Sequence, residues 1–147
     1  MFTMSEKSFR KKTDYIVVHC SATKPDMDIG FAEIDIWHKD RGFYMCGYAD
    51  IIRRDGRVEQ GREADEVGAH VKGYNSVSVG ICMVGGVDKK NRPEENFTPE
   101  QFRSLSRLLR FHMAKYPKAM IVGHNELDSG KACPSFDVQR WLIGEGI

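Results

Sequence analysis

The chain has 147 residues, 41% hydrophobic and 29% charged, with 22 Lys and Arg against 21 Asp and Glu. This size and balance fit one domain with a single core. A net charge of +1 gives no strong field for nucleic acid or an acidic membrane. Met1 to Lys12 is polar and basic without an apolar centre, so it reads as neither signal peptide nor anchor, and no run approaches the ~20 apolar residues of a spanning helix. Retention in a cytosol is therefore expected.

Residues 1–13 read as a flexible basic arm, and 14–147 as the folded domain. Asp14 to His19, with Tyr, Ile, Val and Val in succession, reads as a buried strand. Ser21 to Pro25 is a loop. Gly30 to Arg41 reads as an amphipathic helix with Phe31, Ile34 and Trp37 on one face and Gly42 as its stop. His38 on that helix reads as a surface or internally satisfied histidine.

Tyr48 to Ile52 is predicted as a strand, Arg53 to Gly56 as a hairpin turn through Asp-Gly, and Arg57 to Gly61 as the returning strand. Ala64 to Asn75 is loop-like. Ser76 to Val84 is a further strand, and Asp88 to Phe97 an exposed connection. Thr98-Pro-Glu-Gln101 is a helix start with a capping box and Pro at the first helical position. Phe102, Leu105, Leu108, Leu109 and Met113 then recur at helical spacing to about Tyr116. Met120 to Gly123 is a short strand, and Asp137 to Leu142 a short helix with Trp141 turned inward. The pattern predicts an α/β domain, with a mixed sheet of about five strands flanked by helices.

The chemistry gathers late in the chain. An apolar run from Ala119 to Val122 leads into His124, and a turn then leads to Lys131-Ala-Cys-Pro134. His19 ends an early strand. Two imidazoles and one thiolate supply the three protein ligands of a catalytic zinc site, with the fourth position left to water. Lys131 can direct an ammonium at the oxyanion formed on a carbonyl, and Tyr48 can present a hydroxyl to the same oxygen or assist proton transfer. The spacing matches no standard structural zinc motif. Two alternatives stay open: a metal-free hydrolase with Cys133 as nucleophile and His124 as base, and a binding module without catalysis. Of the four cysteines, Cys82 reads as core, Cys20 and Cys46 as unassigned, and a disulfide framework is not expected.

Several motifs resemble one family. Val17-Val-His-Cys-Ser-Ala-Thr-Lys-Pro25, Trp37-His-Lys39, Gly47-Tyr48, Arg54-Asp-Gly56, Gly68-Ala-His-Val-Lys-Gly-Tyr-Asn75, Val84-Gly-Gly86, Asn96-Phe-Thr-Pro99 and Lys131-Ala-Cys-Pro-Ser-Phe-Asp137 are similar to the phage T-seven lysozyme type of zinc-dependent N-acetylmuramoyl-L-alanine amidases. These are relatives of the peptidoglycan recognition proteins. The resemblance runs from about Asp14 to Trp141.

It implies zinc on His19, His124 and Cys133, catalytic roles for Tyr48 and Lys131, and His70 lining the substrate groove. It implies hydrolysis of the amide between N-acetylmuramic acid and L-alanine of peptidoglycan, with no glycosidic bond cut. Because the sequence shows no export signal, reaching the wall would require membrane permeabilisation, and a monomer is expected. Members of this type bind and inhibit the phage's single-subunit RNA polymerase, so that role is implied as well. Two departures stand out. Ala49-Asp50 replaces a polar-then-aromatic pair, so a carboxylate beside the site needs a partner, an arginine being one candidate. The stretch from His124 to Cys133 is one residue longer than in the family.

Overall fold

The β-branched run near the start alternates its side chains across a sheet. In β1 (Tyr15–Cys20), Ile16, Val18 and Cys20 face one layer, while Val17 and His19 face the other. The computed structural model describes residues 7–147. The remaining strands are β2 (Asp50–Ile52), β3 (Val58–Gln60), β4 (Ser78–Met83) and β5 (Met120–Gly123), in the order β3-β2-β4-β1-β5. β1 runs parallel to β4 and β5, β2 runs parallel to β4, and only the edge strand β3 is antiparallel. This is the mixed five-stranded sheet expected. Its central strands are buried on both faces, as a parallel sheet requires.

Helices cover both faces. α2 (Pro99–Lys115) and α4 (Val138–Glu145) lie on one side, where Leu105, Leu109, Val138 and Leu142 pack on Ile16, Val18, Ile52 and Ile81. Full burial of each such leucine contributes about 2 kcal/mol. The capping box at Thr98 forms as the sequence predicts. Gln101 N–H donates to Thr98 Oγ1 (3.1 Å), and Thr98 N–H donates to Gln101 Oε1 (3.0 Å). Gln101 Nε2 also donates to the carbonyls of Ile52 and Val84, which ties the helix to two strands.

α1 (Phe31–Asp40) covers the other face, where Ile34 packs with Ile51, Cys82 and Val84. Its inward stripe differs from the one expected. Ile34 and His38, one turn apart, are its buried residues, whereas Trp37 stays 39% exposed. The helix turns its i, i+4 pair to the sheet, and Trp37 projects from the flank.

Three boundaries also shift. Tyr48 precedes β2 rather than opening it, a short turn of 3-10 helix at Asn75–Val77 precedes β4, and the C-terminal helix runs on to Glu145. The expected arm changes more. Its first six residues lie outside the described residues, but Lys7 to Thr13 is strapped to the Glu63–Val67 loop. Val67 N–H donates to Ser8 C=O (2.8 Å), Arg10 N–H to Asp65 C=O (2.8 Å), and the Arg10 guanidinium to the carbonyls of Glu66 and Ala64. This backbone pairing fixes the strap despite its polar composition.

The four cysteines are free thiols. Burial pushes Cys46 up to about 11 and Cys82 well above its ordinary value, so neither is a ready nucleophile.

Candidate metal centre

Parallel strands deliver ligands at their carboxyl ends, where α/β sheets commonly build sites. His19 is the penultimate residue of β1, and His124 follows β5 directly as the first residue of the one-turn α3 (His124–Leu127). The next loop returns to the same place. Lys131 N–H donates to Asp128 C=O (3.0 Å), and Asn125 N–H donates to Cys133 C=O (2.9 Å), so the loop folds back on the start of α3. Cys133 is thereby set beside β1, where Cys20 N–H donates to its sulfur at 3.1 Å.

His19, His124 and Cys133 each offer one ligand atom, and all of these atoms lie within 4.8 Å of one another. His19 Nδ1 stands 3.8 Å from Cys133 Sγ. A tetrahedral zinc with ordinary Zn–N and Zn–S bonds places such a pair about 3.5 Å apart, so this pair is already close to the spacing the ion requires.

The electrostatics suit a cation. Burial holds His19 well below its ordinary value, with neighbouring His70, His124 and His38 adding to the effect, so it presents a neutral ring. Burial also lowers His124, and the nearby Lys131 ammonium acts in the same direction. Cys20 and Cys133 are neighbouring thiols, with Cys133 Sγ also donating to the Cys20 carbonyl at 3.7 Å. Their mutual interaction lowers Cys20 and, together with burial, raises Cys133. A bound dication would reverse that order, because a coordinating thiol loses its proton outright.

The centre opens onto a groove lined by His70, Tyr48, His124, Lys131, Arg41 and the Ser8–Lys12 strap, among others. The Tyr48 ring centroid is 5.1 Å from that of His19. Burial raises its phenol well above the ordinary value, so it stays protonated and acts as a donor. Lys131 is exposed on the rim, and its ammonium makes no ion pair among the described residues. His70 lines the groove, but its ring nitrogens already have protein partners: Nδ1 is 2.7 Å from His19 Nε2, and Nε2 is 3.2 Å from Ser78 Oγ.

A comparison of the sequence with known families identifies the chain. It matches the family described as N-acetylmuramoyl-L-alanine amidase over residues 9–136. The chain belongs to the N-acetylmuramoyl-L-alanine amidase family. Among similar proteins, it is 56% identical to the endolysin of Enterobacteria phage K11 over 133 residues, covering 90% of this chain and 87% of that protein. It is 52% identical to the endolysin of Escherichia phage T7 over 132 residues, with the same coverage. Among solved structures, the N-acetylmuramoyl-L-alanine amidase LysC of Clostridium intestinale superposes with a TM-score of 0.83 at 28% identity, covering 100% of this chain and 95% of that one. Drosophila PGRP-LB shares the fold, with a TM-score of 0.75 at 21% identity over 94% of this chain and 84% of that one.

His38 and Asp50 both acquire partners. His38 is buried, and its Nδ1 accepts from Gly47 N–H at 2.8 Å, which steadies the residue before Tyr48. Asp50, the unexpected carboxylate, pairs not with an arginine but with His112 on α2, its Oδ2 lying 2.7 Å from His112 Nε2. His112 is thus a buried partner. Asp50 points away from the groove, on the α2 side of the sheet.

Proposed function

We propose that this protein is a zinc-dependent peptidoglycan amidase, hydrolysing the bond between the lactyl group of N-acetylmuramic acid and L-alanine of the stem peptide. The convergence of His19, His124 and Cys133, with His124 also lining an open groove, carries this reading. Membership of the amidase family supplies the bond type. The phage endolysins it resembles support a lytic role after membrane permeabilisation. Among the described residues, no helix is long and apolar enough to cross a membrane.

His19, His124 and Cys133 would hold the zinc, which when bound supplies Lewis-acid polarisation and a water of lowered pKa. The protein's own groups do the rest. The neutral imidazoles keep their lone pairs available as ligands. Tyr48, held protonated, donates a hydrogen bond toward the carbonyl oxygen as it gains charge. Lys131, without an ion pair among the described residues, brings its ammonium from the rim to the same oxygen. The groove walls orient the glycan and the stem peptide on either side of the scissile amide.

The metal-free alternative fits less well. The imidazole in contact with Cys133 Sγ is His19, not the His124 that such a mechanism would use as its base. Product analysis tests the reaction class. Digestion of purified peptidoglycan should release peptides with free N-terminal alanine and generate no new reducing sugar ends. New reducing ends would reject the amidase reading. Inhibition of a phage RNA polymerase is a separate property implied by resemblance, and a transcription assay with the purified polymerase would test it.

A further inference from the structure

The groove residue His70 invites the reading of a substrate ligand, but its surroundings say otherwise. Both ring nitrogens are spent on protein partners, in a chain that runs from His19 Nε2 to His70 Nδ1 (2.7 Å), from His70 Nε2 to Ser78 Oγ (3.2 Å), and from Ser78 Oγ to Tyr74 C=O (2.7 Å). The last member settles the direction. A backbone carbonyl can only accept, so the Ser78 hydroxyl donates to it. Ser78 Oγ is then free to accept from His70 Nε2–H. The lone pair left on His70 Nδ1 accepts from His19 Nε2–H. That leaves the lone pair of His19 on Nδ1, the nitrogen that faces Cys133 Sγ.

The fold is shaped to hold this ring. A Cβ at Gly80 would lie 2.7 Å from His70 Nδ1, and a Cβ at Gly68 would lie 2.7 Å from His70 Cδ2. Backbone from β4 and from the loop before His70 therefore closes on the imidazole at positions where any side chain would displace it. Asn75 Oδ1 accepts from the backbone N–H groups of both His70 and Val71 (2.8 and 2.9 Å), which locks the segment carrying the ring.

We propose that His70 is a positioning residue for the metal centre: it fixes the tautomer and orientation of His19 so that Nδ1 is presented as a ligand, and it does not bind substrate through its nitrogens. The proposal rests on the reading of His19, His124 and Cys133 as a zinc site. Partners of this kind around a metal ligand typically change metal affinity by about 10–100-fold when removed.

The experiment measures the zinc dissociation constant of the full chain by competition with a chromophoric chelator, together with kcat and KM on soluble muropeptide. His70→Ala should weaken zinc binding by about 10–100-fold. His70→Asn should recover part of that loss, since its Oδ1 can occupy the accepting position of Nδ1. Ser78→Ala leaves the ring in place but removes the group that sets its tautomer, so a smaller loss of zinc affinity is expected. It also serves as the test if His70→Ala fails to fold. In the zinc-loaded wild type, nitrogen NMR should show the His19 proton on Nε2. Unchanged zinc affinity in both His70→Ala and Ser78→Ala, or a raised KM as the only effect, would overturn the proposal and return His70 to the substrate. A wild-type chain that binds no zinc would instead reject the metal site itself.

Discussion

The pair formed by Asp50 and His112 allows a quantitative test of how this chain accommodates a carboxylate in its sheet. The His112 side chain is 2% exposed, its Nε2 is bound to Asp50 Oδ2 at 2.7 Å, and its Nδ1 is buried without a partner among the described residues. Asp50→Ala would leave both ring nitrogens unsatisfied. An unpaired buried polar group costs about 1–3 kcal/mol, and breaking a fully buried ion pair about 3–5 kcal/mol. The Asp50 side chain keeps 14% exposure, which places the expected loss near the lower range, at about 2 kcal/mol. For a domain of this size that corresponds to a fall in Tm of about 4–8 °C.

Asp50→Asn keeps an accepting oxygen and should lose less. The assay is denaturant unfolding of the wild type, Asp50→Ala, His112→Ala and the double variant. The cycle should show a coupling energy of about 1–2 kcal/mol. The Tyr48 carbonyl is held separately by Arg62 N–H (2.9 Å), so the specific activity of folded Asp50→Ala should be unchanged. A loss under about 0.5 kcal/mol, within the range of ordinary surface substitutions, or strict additivity of the two single variants would refute the pairing argument.

Three further outcomes are expected. Cys133→Ser should abolish tight zinc binding and hydrolysis together, as read by metal analysis and turnover; full zinc occupancy would remove Cys133 from the ligand set. Lys131→Ala should keep zinc and lower kcat by up to about 100-fold, and Tyr48→Phe should do the same more mildly; normal kinetics in either would deny that group a role at the oxyanion. His38 is brought down to about 4, first by burial. Between that value and the unfolded value near 6.5, the unfolded chain binds more protons, so stability contributed by neutral His38 is present above pH 6.5 and is lost as pH falls toward 4. His38→Gln should therefore flatten the fall in stability between pH 7 and pH 5 by about 1–2 kcal/mol, as read by urea midpoints; identical slopes would contradict the burial argument.

The parts legible in the sequence are those whose cause is local. β1 and α2 declare themselves through a β-branched run and through a capping box followed by helical spacing. The three residues of the candidate metal centre stood out because each lies at a strand end or on the loop that follows one. Other features depend on partners far along the chain. Asp50 and His112 are 62 residues apart, and only the docking of α2 on the sheet joins them. Trp37 and Ile34 look equivalent by spacing, and the rotation of α1 against the sheet decides between them. The strap at Ser8 and Arg10 is held by carbonyls and an amide of residues 64–67, which no side-chain pattern reveals. His70 did carry a signal: the glycines at 68 and 80 leave room for its ring. That meaning emerges only once β4 is placed beside the 68–75 loop.

The most direct test of the account is metal content measured alongside peptidoglycan hydrolysis, before chelation, after it, and after zinc is restored. One zinc per chain, loss of amidase activity with the metal, and its recovery on adding zinc back are expected. Full hydrolysis by metal-free protein would contradict zinc dependence and would leave Cys133 to be examined as the nucleophile.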